Sequence, residues 1–119
     1  MSAYSHDLDV TIEPRGSLAV ARVVGNIDAV TADGLLTTLQ DAIGAGHAHL
    51  VGDMSGVGYT SSAGLRSLLG AMKEARRSGG DLRLAAVDPK VLKVLQLSGF
   101  TSILRLYPDV EAALASYTE

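Results

Sequence analysis

The stretch Asp53-Met54-Ser55-Gly56-Val57-Gly58-Tyr59-Thr60-Ser61-Ser62-Ala63-Gly64-Leu65-Arg66-Ser67-Leu68-Leu69 joins the end of an apolar run to the start of a helical repeat. Upstream, His49–Met54 reads as a buried strand; downstream, Leu65, Leu68, Leu69 and Met72 recur at helical spacing. Three consecutive hydroxyls and a glycine lie at the junction. Helix N-termini leave backbone N–H groups unpaired and carry partial positive charge, so a side-chain oxygen or an attached phosphate is stabilised there. A serine at such a point is also an ordinary N-cap, and the local sequence leaves both readings open.

The same strand–helix alternation extends in both directions. Asp9–Ile12 and Leu18–Val24 are β-rich runs split by Pro14-Arg15-Gly16, which predicts an opening hairpin. Ala32, Leu35, Leu36, Leu39 and Ile43 predict a first helix, ended by Gly44 and Gly46. After the second helix, stopped at Ser78-Gly79-Gly80, Leu82–Val87 is a strand and Asp88-Pro89 opens a third helix with Val91, Leu92 and Leu95 inward. Gly99 ends it, Ser102–Leu106 is expected as a last strand, and Pro108 precedes a final helix with Val110, Ala113 and Leu114. The order is ββαβαβαβα, an α/β fold with a mixed, largely parallel sheet. Right-handed crossovers place functional loops at the strands' carboxyl ends, here Asn26–Asp28, Gly56–Ser62 and Asp88.

Composition narrows the function. The 119 residues suit one domain, residues 1–119, whose first seven residues are expected to be flexible, and 47% hydrophobic content fills one core. A net charge of −3 without a basic run argues against direct nucleic-acid binding. Zero cysteines exclude a disulfide scaffold and fit a reducing compartment. The absence of a signal-like segment or long apolar run leads us to expect a cytoplasmic protein without membrane insertion.

In its motifs the chain resembles the STAS domain family of bacterial anti-sigma factor antagonists and sulphate-transporter tails. The resemblance rests on Asp53-Met54-Ser55-Gly56-Val57, Ser61-Ser62-Ala63-Gly64-Leu65, Gly25-Asn26-Ile27-Asp28-Ala29, Gly80-Asp81-Leu82-Arg83-Leu84 and Val94-Leu95-Gln96-Leu97-Ser98-Gly99-Phe100, in order along nearly the whole chain. Ser61 stands where the family often has Asp, and Ala63 where it usually has a second Ser. The resemblance implies that Ser62 is phosphorylated by an anti-sigma factor that is a serine kinase, that a protein phosphatase reverses this, and that no cofactor is needed. It further implies a partner surface of Asp28, Thr31, Ser61, Ala63, Gly64, Leu65 and Arg66. Asp28 is equally suited to cap the first helix. Arg66, one turn beyond Ser62, is placed to pair with a phosphate or simply to face solvent, and Asp53 is expected to end its strand near Ser62 or to form a turn.

Enzymes fit poorly. Thr60 occupies the position where a nucleophile elbow needs Gly, and His47 and His49 fall at the opposite end of the strand that leads to Ser62. A phosphoaspartate receiver would use Asp53, but the acidic pair after its first strand and the lysine at its last strand that such a domain needs are not supplied by Asp9 and Arg105. A non-switching STAS adaptor in a transporter or stress-signalling complex is the alternative within the family.

Overall fold

The computed structural model describes residues 2–5 and 8–118. One six-stranded sheet, in sequential order, comprises β1 (Ser2–Ser5), β2 (Leu8–Arg15), β3 (Leu18–Ile27), β4 (His49–Thr60), β5 (Asp81–Ala85) and β6 (Leu106–Tyr107). The first two pairings are antiparallel and the remaining three parallel. Helices α1 (Ala32–Gly44), α2 (Ser62–Arg77) and α3 (Pro89–Leu97) share one core with the sheet, whereas α4 (Val110–Ser116) closes a smaller cluster around Val20, Val51, Ala85, Ala113 and Leu114.

Strand alternation explains the two clusters. Along β4, Leu50 and Met54 enter the larger core while Val51, between them, enters the smaller, as period-2 geometry requires. With α1 to α3 on one face, only α4 on the other and the strands in sequential order, the architecture is not the doubly wound sheet of a receiver, whose first strand lies inside the sheet.

Three expectations change. First, Ser2–Ser5 form an edge strand beside β2; the flexibility expected for residues 1, 6 and 7 lies outside the described residues. Second, the strand expected to stop at Met54 continues to Thr60, because β3 pairs with it through Asn26↔Tyr59 and Ile27↔Thr60 across two register shifts. Glycines 56 and 58 suggested a loop; cross-strand pairing overrides that local preference. Third, Ser102–Leu106 is not a strand. Gly99, at φ 77°, ends α3, a 3₁₀ turn follows at Phe100–Ser102, and the Leu104 N–H donates back to the Phe100 carbonyl at 2.9 Å. Only Leu106 and Tyr107 pair with β5.

Candidate functional site

The parallel end of β3 and β4 brings the two predicted loops together. The Ser61 N–H donates to the Ile27 carbonyl at 2.8 Å, so the turn starting at Asp28 lies against the start of α2. On the Asp28 side, its Oδ1 accepts from the N–H groups of Val30 (2.9 Å) and Thr31 (3.0 Å), and the Asp28 carbonyl accepts from Ala32 at the first turn of α1. Asp28 thus caps the entry to α1. The Thr31 N–H bond is the largest cause holding its carboxyl below the usual carboxylate pKa.

Thr31 is 2% exposed. Its hydroxyl accepts from the Asp28 N–H at 2.9 Å and donates to the Asn26 carbonyl at 3.0 Å, so it holds the turn from inside and its side chain does not reach the surface. The exposed chemistry of this turn comes instead from Val30, 83% exposed.

On the α2 side the two serines have different positions. Ser61 is the N-cap, with extended backbone and an Oγ that accepts from the Gly64 N–H at 3.2 Å. Ser62 is the first helical residue, exposed, and its hydroxyl has no hydrogen bond among the described residues. Ser61 replaces the family's frequent Asp yet retains an acceptor oxygen at the cap.

Gly64 and Leu65, both expected on the partner surface, are buried. A Cβ on Gly64 would collide with Thr60 Oγ1 and come within 2.6 Å of Ile27 Cγ2, so this glycine lets α2 sit directly on the ends of β3 and β4. Its smallness serves the domain's own packing. Leu65 joins the main core. Ala63 is half-buried beside Ser62, and Arg66 is exposed without an ion pair among the described residues. Ser67, buried one turn later, donates to the Ala32 carbonyl at 2.9 Å and fastens α2 to the start of α1.

Asp53 is not at this end of the sheet. Seven residues of β4 follow it before the strand ends, a span of about 20 Å. Its Oδ1 accepts from the N–H and hydroxyl of Ser55, and Arg22 lies 3.7 Å from Oδ2, so it makes a local turn-like contact within the strand and cannot orient chemistry at Ser62. Asp88 caps α3 through the Lys90 N–H, beside β5, which ends in register with Asp53 and not with Thr60. His49 packs edge-on against Tyr117 at the amino end of β4, and no metal-competent group of three or more His, Cys, Asp or Glu exists among the described residues.

Two surface residues near Ser62 were missed in the sequence: Tyr59, 53% exposed in the last turn-ward part of β4, and Val30. The available signal was an aliphatic residue in the Asp28-Ala29-Val30 turn with no periodic core role. The Ser61–Ile27 hydrogen bond brings the turn that carries Val30 and the end of β4 that carries Tyr59 to the same end of the sheet as Ser62.

The chain as a whole has relatives among known proteins. The STAS domain family model matches residues 9–113. The chain is 31% identical over 110 residues to BtrV of Bordetella bronchiseptica, provisionally described as an anti-sigma factor antagonist, covering 92% of this chain and 95% of that one. It is 27% identical over 109 residues to the anti-sigma F factor antagonist of Paenibacillus polymyxa, with 91% and 93% covered. An anti-sigma factor antagonist of Mycobacterium paratuberculosis superposes with a TM-score of 0.85 at 26% identity, with 94% and 95% covered. With most of its length matched by the family model and the predicted α/β architecture in place, this chain belongs to the STAS domain family.

Proposed function

We propose that this protein is an anti-sigma factor antagonist that works by partner switching. With Ser62 unmodified, it binds an anti-sigma factor serine kinase and thereby frees a sigma factor. Phosphorylation of Ser62 by that kinase ends binding, and a protein phosphatase restores it. The observation that carries this reading is the division of labour between adjacent serines: Ser61 supplies the cap, leaving the Ser62 hydroxyl exposed and unbonded among the described residues.

The energetics have the right signs. A phosphate adds about −1.5 to −2 charges, and the start of α2 stabilises them by roughly 0.3–2 kcal/mol. The domain tolerates the group. A docked partner does not, because an interfacial charge left mispaired costs about 2–5 kcal/mol, a loss of roughly 30- to several-thousand-fold in affinity. Asp28 adds to the effect, since a carboxylate is ionised at neutral pH and places a further negative charge on the same end of the sheet. The protein itself has no catalytic role in this scheme; the kinase brings the nucleotide.

Incubation with ATP and candidate anti-sigma kinases, followed by mass spectrometry, is expected to place one phosphate on Ser62. Calorimetry with the same kinase is expected to show that Ser62→Asp weakens binding at least about 30-fold. A Ser62→Asp protein that binds as tightly as the wild type overturns the switch; an unmodified Ser62 with every kinase supports the non-switching adaptor instead.

A further inference from the structure

Charge is divided unevenly along the chain. Eight of the ten Lys and Arg residues lie between residues 66 and 105 with only three carboxylates, a net charge of +5 in that segment against −8 in the rest. The fold concentrates part of this excess on one surface. On α3, Lys90, Lys93 and Leu97 share the outward stripe at helical spacing while Val91 and Leu95 are buried. The Arg76 guanidinium donates to the Ile103 carbonyl at 2.9 Å, which joins the loop after α3 to the last turn of α2, where Lys73 and Arg77 are exposed.

Two aliphatic side chains project from this basic surface: Leu97 is 80% exposed and Ile103 39%. Of the carboxylates in the segment, Asp81 is engaged by Arg76 and Arg83, Glu74 faces Gln40 on α1, and Asp88 caps α3. Lys73, Arg77, Lys90, Lys93 and Arg105 make no ion pair among the described residues.

We infer that this surface adsorbs to an anionic lipid bilayer. Charge complementarity selects an anionic partner, and the form of the patch selects a bilayer over an acidic protein. Its cations are dispersed over α2 and α3, and Leu97 protrudes instead of lining a socket, so it suits a fluid surface that accepts a projecting aliphatic group and offers diffuse charge. The contact is peripheral: no helix among the described residues is long and apolar enough to cross a membrane. Ser62 lies at the other end of α2, about 22 Å along the axis from Arg77, which leaves the candidate switch accessible on an adsorbed molecule. This inference is independent of phosphorylation at Ser62.

Co-sedimentation of the full chain with phosphatidylcholine vesicles, with and without phosphatidylglycerol, at low ionic strength tests it. Binding is expected only to the phosphatidylglycerol-containing vesicles and is expected to fall as salt rises. The double variant Lys90→Gln/Lys93→Gln is expected to lower partition roughly 30-fold, since each lysine near such a surface contributes about fivefold. Leu97→Ser leaves the charge unchanged and is expected to lower it about tenfold. All three positions are exposed, and circular dichroism verifies that the variants fold. Equal binding to both vesicle types, or variants that partition like the wild type, overturns the inference. Capture by immobilised polyglutamate, weakened by the same variants while vesicles stay unbound, also overturns it and assigns the patch to an acidic protein.

Discussion

Adjacent serines with unequal structural burdens make the site testable residue by residue. Ser61→Ala removes the oxygen that caps α2 and is expected to cost about 1 kcal/mol in urea unfolding, whereas Ser62→Ala is expected to stay within about 0.5 kcal/mol of wild type. If the two variants were equally destabilised, the division of roles would fail. Gly64→Ala forces a methyl group against Ile27 and Thr60, both buried and β-branched, and is expected to cost about 1–3 kcal/mol by the same measurement. Asp28 supplies a pH test. Its folded pKa is depressed, so its contribution is present above the unfolded value of 3.8 and is lost as pH falls through the lower folded value. Carbon-detected titration by NMR is expected to place the Asp28 midpoint below 3.8, with the Val30 and Thr31 amide signals following it.

At the scale of elements, α4 is the part whose attachment depends most on one side chain. It has seven residues, too few for an independently stable helix, and it is held to the sheet by a small apolar cluster and by Tyr117 at its C-terminus. The Tyr117 hydroxyl lies 2.6 Å from the Leu50 carbonyl and 2.8 Å from the Asp81 carbonyl, so its proton bridges β4 and β5; Arg83 stacks 4.0 Å from its ring centroid. Desolvation, followed by the nearby Asp81 charge, pushes its pKa above the ordinary tyrosine value. Because the folded form holds the proton more tightly, this contribution is intact below about pH 10 and is lost as pH rises and the unfolded chain ionises. Tyr117→Phe is expected to lower stability by about 1 kcal/mol at neutral pH and to reduce the alkaline loss, read from chemical unfolding at pH 8 and above pH 10. A variant with an unchanged alkaline profile would show that another group controls it.

For the whole molecule, the proposed switch requires an intact scaffold. Ser62 is exposed, and the start of α2 stabilises negative charge, so Ser62→Asp is expected to melt within about 2 °C of wild type by calorimetry while losing the partner. A large drop in melting temperature would mean that lost binding reflects unfolding. Much of this architecture was legible in the chain. The hairpin around Pro14-Arg15-Gly16, the four helices and the approximate strand order follow from periodicity and turn residues. The extension of β4 through Gly56 and Gly58 was not, because its only justification is the partner strand beside it; nor was the shortness of β6, which results from a 3₁₀ turn using backbone groups that local propensity assigned to a strand.

The sequence alone determined the alternation of elements and the hydroxyl cluster at the start of α2, because apolar period and capping chemistry act over a few neighbouring residues. Tertiary structure decided which serine caps and which is free, turned Thr31 and Gly64 inward, moved Asp53 away from the site, and tied the loop at Ile103 to Arg76 at the end of α2. Those outcomes depend on register, close approach and solvent exposure, which exist only after distant parts of the chain have packed together.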